Sequence, residues 1–414
     1  MTLPSQDDLV LRQLTDTQVP SSLRGPLIVD SRYNLPRYWA TVWASMSGSG
    51  AAVSTQIKRL RYVESLYCHA DRLFGACSLD DAIADLDEVR LAEILESWFI
   101  SIRNRAEPTS ADEARWRTGL VFVTTVVTWL SKTSLPIERL RRIDGQLHRL
   151  TTLYGQLHVR KGRQTSRIRS LPAAVIEALY EMLDPESRIN PFSRQRGRWL
   201  AFLAFMLMLH QGLRRGELML LSADVINSAF DERQQRTRHW LNVSLSQYAD
   251  DELDSRYSRP SIKSSNAIRQ LPVSAATAGV VQSYVENYRG KPDHPFLLNT
   301  QQNTPLSTES LTKIFAKISA NLPPRTIKEL VDRNGRSTVT PHDLRHTCAV
   351  VRLNQLLRQG DSMEEALQKL RSFFGWSRES QMPIRYAGAV FEDRLSTVWN
   401  DSLDERLAVL RAIP

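Results

Sequence analysis

Cysteine is scarce: Cys68, Cys77 and Cys348 are the only three in 414 residues. They are widely separated and odd in number, so neither a disulfide framework nor a paired-cysteine metal site is indicated, and free thiols in a reducing compartment are expected. No apolar run approaches the roughly 20 residues needed to cross a bilayer, and the first residues carry no signal-peptide pattern. An HExxH helix and a P-loop are both missing, which leaves zinc-peptidase and nucleotide-driven chemistry without support. Acidic residues are in deficit, 45 against 54 Lys and Arg, and the net charge of +9 suits a polyanionic partner.

What is present is an ordinary globular composition, 42% hydrophobic and 24% charged, on a chain long for one core and comfortable for two. Prolines at Pro4, Pro20, Pro26 and Pro36 predict an irregular N-terminal extension over 1–45, with Trp39 and Trp43 packing onto the adjoining domain. From Ser54 the periodicity is helical. Leu60, Val63, Tyr67, Ala70 and Phe74 make one stripe, with Lys58, Arg59, Arg61 and Arg72 off it. Asp80, Asp81 and Asp87 are candidate N-caps. Further helices are expected around Leu91–Ile102, from Ala111 to Ser131 and from Ile137 to Tyr154. Together they predict a helical domain over 46–157, either a plain bundle or one that lays basic helices along a phosphate backbone.

A stretch rich in cations and free of acids, with Arg160, Lys161, Arg163 and Arg167, then reads as a linker over 158–170 that tracks nucleic acid between two domains. A second domain, 171–414, opens at Pro172. Its apolar helix from about Arg198 breaks at Gly212 and restarts at Glu217. Alternation over Trp240–Leu245 and Ala267–Val273 predicts paired strands. Helices are expected over Ala275–Tyr288, Ser307–Ala320 and Met363–Phe374, with Gly375 as a left-handed cap, and a last one carries Phe391, Leu395, Trp399, Leu403, Leu407 and Leu410. The fold class is therefore mainly α with a small antiparallel sheet.

The densest chemistry lies in Thr340-Pro-His-Asp-Leu-Arg-His-Thr-Cys-Ala349. Pro341 suits a first helical turn, and positions three and four apart share a face, so His342, Arg345 and His346 point one way. Cations at a helix N-terminus are electrostatically poor unless an anion sits there. Surface decoration and a histidine metal pair are the competing readings of this cluster alone.

Taken in order, Gly212-Leu-Arg-Arg-Gly-Glu-Leu218, Lys263 before Arg269-Gln-Leu-Pro272, His342-Asp-Leu-Arg-His346, Gly375-Trp376 and Tyr386 resemble the tyrosine recombinases, the phage-integrase class of site-specific DNA recombinases. The resemblance implies an N-terminal core-binding bundle and a C-terminal catalytic domain, acting on double-stranded DNA through a 3′-phosphotyrosyl intermediate and a Holliday junction, with no cofactor or metal. It assigns Arg214 and Arg345 to the phosphate oxygens, Lys263 as general acid, His342 as proton acceptor or phosphate ligand, Trp376 as buttress and Tyr386 as nucleophile. Glu217 and His346 are supporting residues. A tetramer on DNA, accessory proteins, and a cytoplasmic, nucleoid-associated integrase of a bacterial mobile element are the further expectations. The spacing from Trp376 to Tyr386 is one residue longer than the family's usual. A type IB topoisomerase-like enzyme and an inactive DNA-binding regulator are the alternatives.

Overall fold

The structure is a computed structural model that describes residues 9–14, 18–20, 24–47, 51–106, 108–131, 170–244, 260–262 and 265–387, with residues 145, 148, 152, 254 and 256 between them. It is mainly α, with two small antiparallel sheets, and divides into two compact units, Met1–Thr165 and Ser166–Pro414.

The first unit corrects the expectation of an irregular start. Leu9–Leu14 (β1), Gly25–Asp30 (β2) and Leu35–Pro36 (β3) form an antiparallel sheet in that order, and Tyr38–Ser47 is a helix (α1). The prolines misled because they sit where a strand tolerates them: Pro26, at the start of β2, is paired on one side only, with Gln13 of β1, since β3 reaches β2 only at Val29 and Asp30, and Pro36 ends the short edge strand β3. Trp43 and, in part, Trp39 join the bundle core. Arg37, 5% exposed, fastens this region to the bundle by donating to Asp71 (2.6 Å) and Asp80 (3.3 Å). Tyr67 also donates to Asp80 (2.6 Å), so that carboxylate is occupied rather than capping a helix.

The bundle itself comprises Val53–Phe74 (α2), Ser78–Ala84 (α3), Glu88–Arg103 (α4) and Ser110–Ser131 (α5). Leu60, Val63, Tyr67 and Ala70 are buried, as are Leu91, Ile94, Leu95, Trp98 and Ile102. Asp87 caps α4 by accepting from the Arg90 N–H (3.1 Å). Of the helix expected from Ile137 to Tyr154 only residues 145, 148 and 152 are described, 145 and 148 of them α-helical, and the linker residues Arg160, Lys161, Arg163 and Arg167 lie outside the described residues.

The second unit packs Ala173–Leu183 (α6), Gln195–His210 (α7), Arg215–Met219 (α8), Ala275–Ser283 (α9), Thr308–Ala320 (α10), Pro324–Asn334 (α11), Pro341–Arg358 (α12) and Met363–Phe374 (α13). Helix α7 is apolar nearly all round and runs through the centre, so Leu203, Ala204, Phe205 and Leu207 are buried. Ile226–Asp231 (β4), Arg236–Val243 (β5) and Arg269–Val273 (β6) form the second sheet, with Leu241 opposite Leu271. Strand β4 was not expected from the sequence; its INSAFD stretch lacks clean alternation, and Phe230 is exposed. Helix α11 was also missed, because its surface-facing residues leave only Thr326 and Leu330 buried.

Candidate active site

Two glycine turns and the start of a short helix bring the side chains together. After α7 ends at His210, Gly212 takes a left-handed φ of +58°. A Cβ there would stand 2.4 Å from the Phe374 ring, so glycine is required both for the turn and for the approach. Arg214 then becomes the N-cap residue of α8, whose Glu217 reaches back to the Arg214 N–H (2.9 Å). Gly375, at φ +59°, caps α13 and turns the chain into Trp376.

Glu217 is the hub. Its carboxylate is 2% exposed and accepts from Arg214 Nη1 (2.5 Å) and from Arg269 Nη1 and Nη2 (3.2 and 2.9 Å), while Arg345 Nη1 lies 3.8 Å away. Burial would raise its pKa. The Arg269 hydrogen bonds, then the charges of Arg269 and Arg345, outweigh that and hold it below the usual range.

Arg345 is 2% exposed. It donates from Nη1 to the Gly212 carbonyl and from Nη2 to the Phe374 carbonyl (2.9 Å). Its guanidinium lies over the rings of Phe374 (4.8 Å) and Trp376 (5.7 Å). Burial, joined by repulsion from Arg214, pulls it down to about 9. A desolvated cation of this kind gains most when an anion arrives.

Helix α12 opens with Pro341 at its first position and a capping box in which Asp343 accepts from the Thr340 N–H (2.8 Å) and hydroxyl (2.7 Å). Asp343 also accepts from Arg336 (2.8 Å), so the negative charge favoured at this N-terminus is partly supplied by the chain. His342 is exposed and His346 half-buried, with ring centroids 4.3 Å apart.

Residues 382–387 carry Tyr386, which is 2% exposed, in a short helical segment. Its hydroxyl is 2.6 Å from His346 Nδ1. Its ring stacks on Trp376 (5.5 Å, 15°), which stacks on Phe374 (4.7 Å, 13°). Between Trp376 and Tyr386 the chain makes a turn in which the Ser380 N–H donates to the Ser377 carbonyl (3.0 Å). Burial pushes Tyr386 up to about 12, against the opposing pull of Arg345 and Arg214.

Arg214, Glu217, His342, Arg345, His346, Trp376 and Tyr386 thus gather in one cluster. Lys263 lies outside the described residues, although Ser261, two positions before it, presses its carbonyl 2.7 Å from where a Cβ on Gly216 would be. Nearby, Arg256 forms a buried two-point pair with Asp254 (2.7 Å at each contact) and donates to the Met219 carbonyl (3.0 Å). That brace was not anticipated, because a hydrophilic run of mixed charge gives no sign of burial. Arg269 was missed as a site residue, yet alternation puts it on the face of β6 shared by buried Leu271 and Val273. A cation on an apolar face was the available signal. In the first unit, Lys58, Arg59 and Arg61 are exposed on α2.

The model of the phage integrase family matches residues 169–392, more than half of the chain. Among solved structures, the chain is similar to the XerA recombinase (16% identity over 83% of this chain and 98% of that one, TM-score 0.34). It is also similar to the XerH site-specific recombinase bound to a palindromic difH substrate in a post-cleavage complex (12% identity, 87% and 85%, TM-score 0.45). No curated protein sequence matches. No described helix is long and apolar enough to cross a membrane.

Proposed function

The chain belongs to the phage integrase family of tyrosine recombinases, and from that premise we propose that it cuts and rejoins double-stranded DNA at specific sites with Tyr386 as nucleophile. The observation that carries this reading is the gathering of Arg214, Arg269 and Arg345 on Glu217, with Tyr386 close enough for both Arg214 and Arg345 to favour its phenolate.

Attack by a phenol on a phosphodiester builds charge on the two non-bridging oxygens. Arg214 and Arg345 supply planar, charged donors for them. Glu217 keeps both guanidiniums aimed and holds cations together that would otherwise repel. Exposed His342, at the opening turn of α12, serves the same phosphate. Trp376 holds the tyrosine ring by stacking, and its indole N–H is a further phosphate donor. Lys263 protonates the departing 5′-oxygen. The products are a 3′-phosphotyrosine and a free 5′-hydroxyl; the energy of the broken bond is retained in the new ester, so ligation needs no ATP.

Four such subunits exchanging strands through a Holliday junction, in the service of a mobile element in a bacterial cytoplasm, complete the proposal. Lys58, Arg59 and Arg61, with the linker cations, grip the backbone. Tyr386→Phe tests it: on a suicide substrate the covalent adduct is lost on a denaturing gel while DNA affinity stays within a few-fold. An adduct persisting in that variant rejects Tyr386. Arg214→Ala lowers cleavage by roughly 10²–10³, as loss of one transition-state donor does. Accumulation of four-way junctions separates recombination from simple nicking and resealing.

A further inference from the structure

Histidines 342 and 346 both face the site, and which of them handles the nucleophile's proton is decided by geometry. The Tyr386 hydroxyl is 2.6 Å from His346 Nδ1, with ring centroids 5.5 Å apart at 50°. Trp376 covers one face of the phenol at 5.5 Å, so the ring is clamped with its oxygen toward His346. At 2% exposure Tyr386 has little bulk water to take its proton, which makes a side-chain acceptor in contact the natural route. His342 lies one turn earlier on α12 and is exposed, with its ring 4.3 Å from that of His346.

We propose that His346, and not His342, is the catalytic base that takes the proton of Tyr386. The assignment rests on Tyr386 being the nucleophile. The tautomer required is neutral imidazole with its hydrogen on Nε2 and its lone pair on Nδ1. As the phenol oxygen bonds to phosphorus, the O–H bond breaks and an N–H bond forms at Nδ1, leaving an imidazolium. The bond from phosphorus to the 5′-oxygen breaks on the opposite side, where that oxygen takes its own proton. In ligation the steps reverse, and His346 returns the Nδ1 proton to the leaving phenol. Among the described residues, the titratable and charged groups acting on Tyr386 are Arg345 and Cys348 on α12, Arg214 before α8, Arg385 beside it, and His346 itself, backed by His342. Arg345, at about 9, stays cationic across neutral pH, so an acid limb that disappears when His346 is replaced belongs to that histidine.

The test uses the full chain and a suicide DNA substrate under single-turnover conditions, with adduct formation measured against pH. His346→Asn puts an amide where Nδ1 lies and keeps a hydrogen-bonding partner, but cannot carry a proton away. His346→Ala removes both. The expected result is a fall of roughly 10²–10⁴-fold in both variants, loss of the acid limb, and partial recovery of His346→Ala by added imidazole. Substituting His342 with Asn lowers the rate but keeps the limb. Near wild-type rates and an intact limb in His346→Asn would reduce His346 to a positioning residue and overturn the proposal. Loss of the limb in the His342 variant alone would transfer the role to His342. A Tyr386→Phe adduct on the same substrate would remove the underlying nucleophile assignment, an outcome distinct from either. Thermal unfolding of each variant identifies any that fail to fold.

Discussion

At the scale of single residues, Glu217 organises the cluster by its contacts with the guanidiniums. One buried carboxylate holds three guanidiniums, so replacing it leaves cations facing one another without compensation. Glu217→Gln is expected to cost about 3–5 kcal/mol, a drop of roughly 10 °C in the melting of the second unit. The effect has a pH signature. Because the folded carboxyl is held below its usual range, its contribution is complete above the unfolded value of about 4.3 and is lost as pH falls through the folded one. Wild type and variant should therefore converge in stability in acid and diverge toward neutrality, which denaturant titrations at several pH values will measure. Tyr386 gives the opposite sign. Raised to about 12, it favours the fold below pH about 10, and that advantage disappears as pH rises to about 12. Tyr386→Phe should flatten this alkaline loss.

At the scale of elements, the site depends on places where helices stop. Arg345 is satisfied by the carbonyls of Gly212 and Phe374, which are the ends of two separate segments. Here the sequence was informative: glycine at 212 and 375 marks turns that other residues resist, and both turns are found. Less was legible wherever a connection is long and polar. The segment between β5 and β6 reads as a hydrophilic loop, yet Asp254 and Arg256 are buried in it and Ser261 lies against α8. Gly216 tests that contact. Alanine in a helix is ordinarily better than glycine by about 1 kcal/mol, but a Cβ 2.7 Å from the Ser261 carbonyl requires backbone to move. We expect Gly216→Ala to slow cleavage by shifting the approach to Lys263 and to act normally on a substrate whose 5′ leaving group is a thiol, which departs without a proton. Equal slowing on both substrates would place the damage at Arg214 instead.

At the scale of the whole molecule, a net charge of +9 and exposed cations on α2 predict affinity that falls steeply with salt, in proportion to the phosphates contacted. A binding titration with a flat salt response would contradict the backbone-gripping role. The division into helical and catalytic parts was legible from periodicity and from the basic stretch between them, because burying a stripe leaves a period of 3.6 in the sequence. The N-terminal sheet was not, since its short strands depend on pairing with each other and on Arg37, a long-range tie that local pattern does not encode. The most direct measurement of the central claim is the chemical identity of the protein–DNA link. Digestion of the complex trapped on a suicide substrate, with mass spectrometry of the product, should find a DNA 3′-phosphate esterified to Tyr386. A link through another residue, or to a 5′-phosphate, would contradict it.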